Sequence, residues 1–124
     1  PIRSIFDTLK EKAKAGVDVR ILCDNSTATA PSVRNANRNT AAQLAIAGVQ
    51  TFFLFSNKAQ HKKLIIVDGL TLILGSSNLS LAGTTASNEL NLRTRHPQLL
   101  KNAMADFHSL LARAIPLEEL DNPK

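Results

Sequence analysis

One short stretch of the chain carries an imidazole, an ammonium group, a carboxylate, a hydroxyl and an amide within eighteen residues. The residues concerned are His61, Lys63, Asp68, Gly75, Ser76 and Asn78. An imidazole can attack phosphorus or shuttle a proton, and a lysine and an amide can each bind a nonbridging phosphate oxygen. Stabilisation of developing charge by such groups is usually the largest catalytic contribution. The set therefore suits cleavage of a phosphodiester, and it predicts that no metal ion or other cofactor is needed.

These residues lie at the ends of a predicted β-hairpin. Leu64–Val67 is a short apolar run, Asp68-Gly69 is typical of a turn, and Thr71–Leu74 returns as the partner strand. Such a hairpin brings the residues before its first strand close to those after its second. The chemistry-bearing side chains are therefore expected to gather at one end of the hairpin.

Alternation along the strands decides which of these side chains share a face. Residues two apart in a strand lie on the same side, so His61 and Lys63 are expected together, with Lys62 on the opposite side. Ser76 and Asn78 are also two apart and can share a face. The pattern predicts a nucleophile or base, a cation and neutral donors on one surface.

The segment from His61 to Asn78 resembles the HxKx4Dx6GSxN motif of the phospholipase D superfamily at every fixed position. Asn88-Glu89 resembles the acidic residue that usually follows that motif. A looser resemblance runs from about Ile2 to Arg113, and it is to the small bacterial nuclease-like members of the family. The opening strand-helix-strand of the family is not seen in this sequence.

The resemblance implies a two-step reaction. One histidine attacks phosphorus to form a phosphohistidine, a second histidine protonates the leaving alcohol, and water or another alcohol releases the product. His61 would be the nucleophile or its acid partner, and Lys63 and Asn78 would bind the phosphate. Glu89 would accept a hydrogen bond from the other imidazole nitrogen and fix its tautomer, and Ser76 would support the same site.

Three further residues are given supporting roles. Asp68 is expected to shape the motif through the turn and its charge rather than to contact substrate. Lys62 and Lys58 would form a basic rim that could guide a polyanion, although a purely solvated role is the simpler interpretation.

The fold class predicted is α/β, a mixed β-sheet flanked by helices in a single phospholipase D-like domain over residues 1–124, with a loosely held tail from Pro116. Predicted helices cover Ile2–Ala13, Asn39–Ala47 with a possible earlier start, and Leu99–Leu111. Predicted strands beyond the hairpin cover Val17–Ile21, Val49–Phe55 and Asn88–Arg95. We also expect that an N-terminal strand-helix-strand lies outside this sequence.

Composition bounds the choice of substrate and partner. The net charge of +5 favours polyanions, which include both nucleic acid and anionic lipid surfaces. No apolar run approaches the roughly 20 residues of a membrane span. The single cysteine, Cys23, excludes an internal disulfide and is expected to pack, and without a visible secretory signal it favours the cytoplasm.

Three functions stay open at this point. A nucleic-acid endonuclease is favoured, with DNA or RNA as substrate. A phospholipase D or phosphatidyltransferase acting on lipid headgroups is the first alternative, and a nucleic-acid-binding module of a larger protein is the second. Because one chain offers one motif, the second histidine is expected from a homodimer partner or from a missing segment.

Overall fold

The computed structural model describes residues 4–60, 62–75 and 90–120. The chain divides into two compact units. The first contains the described residues up to Gln60 together with those from Leu111 onward, and the second contains those from Lys62 to Leu110. The single phospholipase D-like domain expected from the sequence stays a prediction.

The first unit contains a three-stranded sheet of order β1-β2-β6. Its elements are α1 Ile5–Lys14, β1 Arg20–Asp24, α2 Pro31–Ile46, β2 Gln50–Leu54, β6 Ile115–Pro116 and α4 Leu117–Leu120. Strands β1 and β2 are parallel, with Cys23 opposite Phe53, and β6 is antiparallel to β2, with Ile115 opposite Phe53. Phe53 is fully buried and Leu44 of α2 is 2% exposed. The sheet is therefore mixed, and its apolar core forms where β2 meets α2.

The second unit contains an antiparallel sheet of order β3-β4-β5. Its elements are β3 Leu64–Val67, β4 Thr71–Gly75, β5 Asn91–Thr94 and α3 Pro97–Leu111, of which the last residue belongs to the first unit. Leu72 of β4 is 1% exposed and provides the buried centre of this sheet. The α/β class, the mixed pairing and the β3–β4 hairpin are confirmed, although the described strands form two sheets rather than one.

The first strand begins three residues later than the sequence predicted because Val17 closes α1 instead. Gly16 adopts a φ of +93°, and the amide of Val17 donates to the Lys12 carbonyl at 3.0 Å. This is a Schellman motif, in which the residue after a left-handed glycine caps the helix. The alternation of Val17, Val19 and Ile21 therefore begins in the helix cap, before the strand starts at Arg20.

Helix α2 and the C-terminal segment also differ from the sequence prediction. Helix α2 begins at Pro31, where a first-turn proline loses no hydrogen bond, although the stretch up to Asn39 is rich in loop-forming polar residues. Pro116, where a loosely held tail was expected, pairs with Phe52 and is followed by α4. Residues 121–124 lie outside the described part of the chain.

Candidate active site

The structure describes half of the predicted site residues. The described ones are Lys63, Lys62, Lys58 and Asp68. His61, Ser76, Asn78 and Glu89 lie outside the described residues. Their roles therefore stay predictions.

Lys63 lies at the start of β3, at one end of the second sheet. Its carbonyl accepts a hydrogen bond of 3.3 Å from the amide of Gly75, so the β3–β4 pairing extends to the motif lysine. Gly75 in turn pairs with Asn91 at the start of β5. Lys63, Gly75 and Asn91 thus form one row across the three strands, and paired residues of a row project to the same side.

The motif glycine is required by the close approach of β5. A Cβ atom on Gly75 would lie 2.2 Å from Asn91 Oδ1, 2.4 Å from the Leu90 carbonyl oxygen and 2.6 Å from Asn91 Cα. Two of these three contacts are with backbone atoms, so a change of side-chain rotamer cannot relieve them. The absence of a side chain at Gly75 lets β5 begin beside the end of β4.

The three chain segments that carry the motif meet at the same end of the second sheet. The strands are antiparallel, so the start of β3, the end of β4 and the start of β5 lie side by side. In the sequence, His61 comes two residues before Lys63, Ser76 directly follows Gly75, and Glu89 comes two residues before Asn91. The sheet therefore gathers at this end the described residues that lie next to His61, Ser76 and Glu89 in the chain.

Asp68 lies at the other end of the hairpin. It is exposed and has a φ of +56°, and it is followed by Gly69 with a φ of +65°. The amide of Leu70 donates to the Val67 carbonyl at 3.0 Å, which closes a turn with two left-handed central residues. Asp68 lies five residue steps beyond Lys63 across β3, or about 17 Å. The geometry favours the predicted turn-forming role of this carboxylate.

The adjacent side chains of Lys62 and Lys63 have different surroundings. The ammonium group of Lys62 lies 3.0 and 2.9 Å from the two carboxylate oxygens of Asp106 on α3. That ion pair is partly exposed, and it compensates the charge that the sequence assigned to a basic rim. Lys63 is half-buried and, by alternation, lies on the other side of the strand.

Lys58 lies in the loop after β2 of the first unit and is exposed. The loop is closed by Ser56, whose hydroxyl donates to the Lys58 carbonyl at 2.5 Å and accepts from the Lys58 amide at 3.2 Å. These bonds involve only the backbone of Lys58. These backbone bonds do not fix the position of the Lys58 ammonium group.

A hydrogen-bond cluster centred on Asp24 was not expected from the sequence. The carboxylate accepts from the Ser26 amide at 3.2 Å, from the Ser26 hydroxyl at 3.3 Å and from the Thr29 hydroxyl. It also accepts from the amide of Gln60 at 3.4 Å. Ser26 is fully buried, so these bonds satisfy polar groups that water cannot reach. Asp24 thus fixes the last residue of the loop that leads to the motif, and the polar run after β1 was its only signal in the sequence.

Cys23 is excluded as a second nucleophile at neutral pH. Burial, together with a smaller effect of the negative charge of Asp24, raises the pKa of its thiol to about 11. A thiol with such a pKa stays protonated, whereas the thiolate is the reactive form. Cys23 therefore acts as a packing residue of β1, as its apolar sequence context indicates.

Clusters of metal-ligating side chains and long apolar helices are both absent from the part of the chain that the structure describes. Among these residues, no group of three or more histidine, cysteine, aspartate or glutamate side chains could hold a metal ion. Within the same ranges, none of the helices combines the length and apolar character needed to cross a bilayer.

Comparison with known proteins places this geometry in a family. The family model described as "Cardiolipin synthase, PLD-like domain" matches residues 1–111. A cardiolipin synthase from a Geobacillus species is 31% identical over 118 residues, which are 95% of this chain and 23% of that protein. One from Staphylococcus aureus is 30% identical over 112 residues, or 90% of this chain and 22% of that protein. The chain thus spans less than a quarter of the length of these relatives.

A solved structure supports the same conclusion. The phospholipase D family member Nuc from Salmonella typhimurium superposes with a TM-score of 0.74 and 26% sequence identity. The similarity covers 90% of this chain and 72% of that one.

Proposed function

Because this chain belongs to the PLD-like domain family of the phospholipase D superfamily, we propose that it is a metal-independent phosphodiesterase that cleaves nucleic acid through a phosphohistidine intermediate. The observation that carries the proposal is the row formed by Lys63, Gly75 and Asn91. It assembles a cation beside the chain segments that continue to His61, Ser76 and Glu89.

Each residue of the motif has a defined part in the proposed reaction. His61 attacks phosphorus, and the bond to the leaving oxygen breaks as a second imidazole protonates it. Lys63 and Asn78 stabilise the negative charge that develops on the nonbridging oxygens. Glu89 holds the proton on the far imidazole nitrogen, and Ser76 supports the phosphate site. Water then attacks the phosphohistidine and restores His61.

Nucleic acid is the substrate that the charge of the chain favours. The net charge of +5 attracts a polyanion. The side of the second sheet that carries Lys63 is also basic. Arg93 pairs with Ile73 two residues beyond Asn91, in the next row that projects to that side. A substrate with several phosphates uses such a surface better than one with a single phosphodiester.

Phospholipid is the second candidate, and the curated relatives favour it. Proteins named cardiolipin synthase match 90% or more of this chain at 30–31% identity. In that reading the phosphohistidine carries a phosphatidyl group, and an alcohol rather than water releases it. The residues of the motif keep the same roles, so the two candidates differ only in the substrate.

The second histidine of the mechanism comes from another copy of the motif. We propose a homodimer partner as its source, with a further segment of a longer protein as the alternative. Mixing wild-type chains with His61→Ala chains tests this. Activity should fall faster than the wild-type fraction once subunits exchange, and a strictly linear fall with an active monomer in sedimentation would contradict the dimer.

The function is tested by offering the purified chain single-stranded DNA, duplex DNA, RNA and anionic phospholipid vesicles in parallel, all in EDTA. Nucleic acid should be cleaved, and His61→Ala should lower the rate by at least on the order of 10²–10⁴. His108→Ala is the matched control. It also removes an imidazole, but His108 lies on α3 with its ring against Phe107 and is not part of the motif. Loss of cleavage in EDTA with rescue by a divalent cation would contradict the mechanism, and cleavage of vesicles alone would establish the lipid alternative.

A further inference from the structure

Strand β5 and the residue directly after it place two arginines on the same side of the second sheet as the motif lysine. The rows of that side are Lys63–Gly75–Asn91 and Ile65–Ile73–Arg93, and the next row brings Thr71 beside Arg95. The Arg95 Nε atom donates to Thr71 Oγ1 at 3.1 Å, which confirms that this row also projects to the same side. Arg93 and Arg95 are two residues apart, so their Cα atoms are about 6.7 Å apart along the strand.

Both arginines are available to a ligand. Arg93 and Arg95 are exposed. Within the ranges 4–60, 62–75 and 90–120, the side chain of Arg93 makes no hydrogen bond or ion pair, and the guanidinium group of Arg95 is oriented by a hydrogen bond to the neutral hydroxyl of Thr71. Lys62 is different, because Asp106 compensates its charge on the opposite side of the sheet. The exposed positive charge of the sheet therefore lies on the side of Lys63.

We propose that Arg93 and Arg95 form a second phosphate-binding site, here called the arginine strip, which holds phosphates that flank the one being cleaved. This inference rests on the proposed function and deepens it, because it assigns the substrate to extended, single-stranded nucleic acid. The ligand recognised is a run of at least two or three consecutive phosphodiesters.

The geometry suits such a run. Arg93 lies one row along and two strands across from Lys63, which gives about 12 Å between their Cα atoms. Both side chains are long enough to reach neighbouring phosphates of one extended strand. Guanidinium groups bind phosphate oxygens through paired N–H donors, and Arg95, directly after β5, repeats the donor of Arg93 two residues further on. In the described sheet β5 is an edge strand.

The test separates binding along the strip from chemistry at the motif. Arg93→Gln, Arg95→Gln and the double variant are compared with Arg113→Gln, an exposed arginine outside the sheet. Binding of a short single-stranded DNA is measured in the His61→Ala background at several salt concentrations. Turnover of bis(4-nitrophenyl) phosphate, which has one phosphodiester and no flanking phosphate, is measured in chains with an intact His61.

We expect each strip substitution to weaken DNA binding about tenfold and to lower the salt dependence of log K by roughly 0.7. Arg113→Gln should change neither. Arg93→Lys should restore the salt dependence, because it restores the charge. Turnover of the small diester should stay within about twofold of wild type, since the strip does not contact its phosphorus.

Three results would overturn the proposal. The double variant could bind DNA with unchanged affinity and salt dependence. It could lose turnover of the small diester in parallel with DNA binding while its thermal melt is unchanged, which would place the arginines in the reaction itself. The wild-type chain could bind anionic vesicles and not DNA. Absence of small-diester turnover in the wild-type chain would instead contradict the proposed function. The DNA-binding measurements would still show whether the arginine strip binds phosphates.

Discussion

At the scale of single residues, adjacent lysines differ in function because strand alternation sends them to opposite sides of one sheet. Lys62 binds Asp106, and Lys63 lies in the row that meets Gly75 and Asn91. The sequence predicts the two faces from spacing alone. It could not predict the ion pair of Lys62, because Asp106 is 44 residues away in the chain.

The two lysines should therefore respond differently to the same substitution. Lys63→Met removes the cation that binds the phosphate and should lower kcat/KM by about 10²–10³. Lys62→Met breaks a partly exposed ion pair, which is worth at most about 1 kcal/mol of stability, and should cost far less activity. Steady-state kinetics on both variants checks this. Equal losses would mean that Lys62 also contacts substrate.

The raised pKa of Cys23 makes stability depend on alkaline pH. The folded chain keeps the thiol proton up to a pKa of about 11, whereas the unfolded chain releases it near the ordinary value of 9.0. The folded state therefore binds more protons between these values, and stability is lost as pH rises through that window.

Urea unfolding of the wild type and Cys23→Ala tests this dependence. From pH 8 to pH 10 the wild type should lose about 1 kcal/mol relative to the variant. Comparing the two chains cancels the titration of the lysines that they share. Parallel curves across that range would show that the thiol is not protected by burial.

At the scale of elements, the site depends on how closely β5 approaches β4. The sequence predicted the β3–β4 hairpin because its apolar alternation and Asp-Gly turn are local features. It treated Gly75 only as a fixed position of a motif. The steric reason for that glycine lies in the backbone of Leu90 and Asn91, which spacing within the motif does not reveal.

Gly75→Ala should displace β5 and disable the site. The added methyl group would lie 2.4 Å from the Leu90 carbonyl oxygen, so the strands must separate. We expect a loss of about 1–3 kcal/mol in stability and a larger proportional loss of activity. Gly69→Ala is the control, because its Cβ would meet only the flexible Met104 side chain at 3.7 Å, although its positive φ carries a cost of about 1 kcal/mol.

The double variant Gly75→Ala, Asn91→Gly refines this test. It removes the contact with Asn91 Oδ1 and leaves the clash with the Leu90 backbone. Activity should therefore stay low. Full recovery would mean that the side chain of Asn91, and not the position of β5, accounts for the glycine.

At the scale of the whole molecule, long-range pairings explain what the sequence did not predict. Strand β6 has two residues and pairs with β2, which lies more than 60 positions earlier in the chain. The amide of Gln60 donates a hydrogen bond to the carboxylate of Asp24, which lies 36 residues earlier. Neither leaves a periodic pattern. The α/β class and helix α3 were predictable, since Leu99–Leu111 has a strong amphipathic repeat and Pro97 starts the helix.

The central claim for the molecule is that His61 forms a covalent bond to phosphorus. The most direct measurement is to quench a turning-over reaction in EDTA with alkali, digest the chain and find the modified peptide by mass spectrometry. We predict an acid-labile, alkali-stable phosphoryl adduct on His61, absent from the His61→Ala chain. Rapid turnover with no adduct on any histidine, or an adduct on His96 or His108 with His61 unmodified, would contradict it.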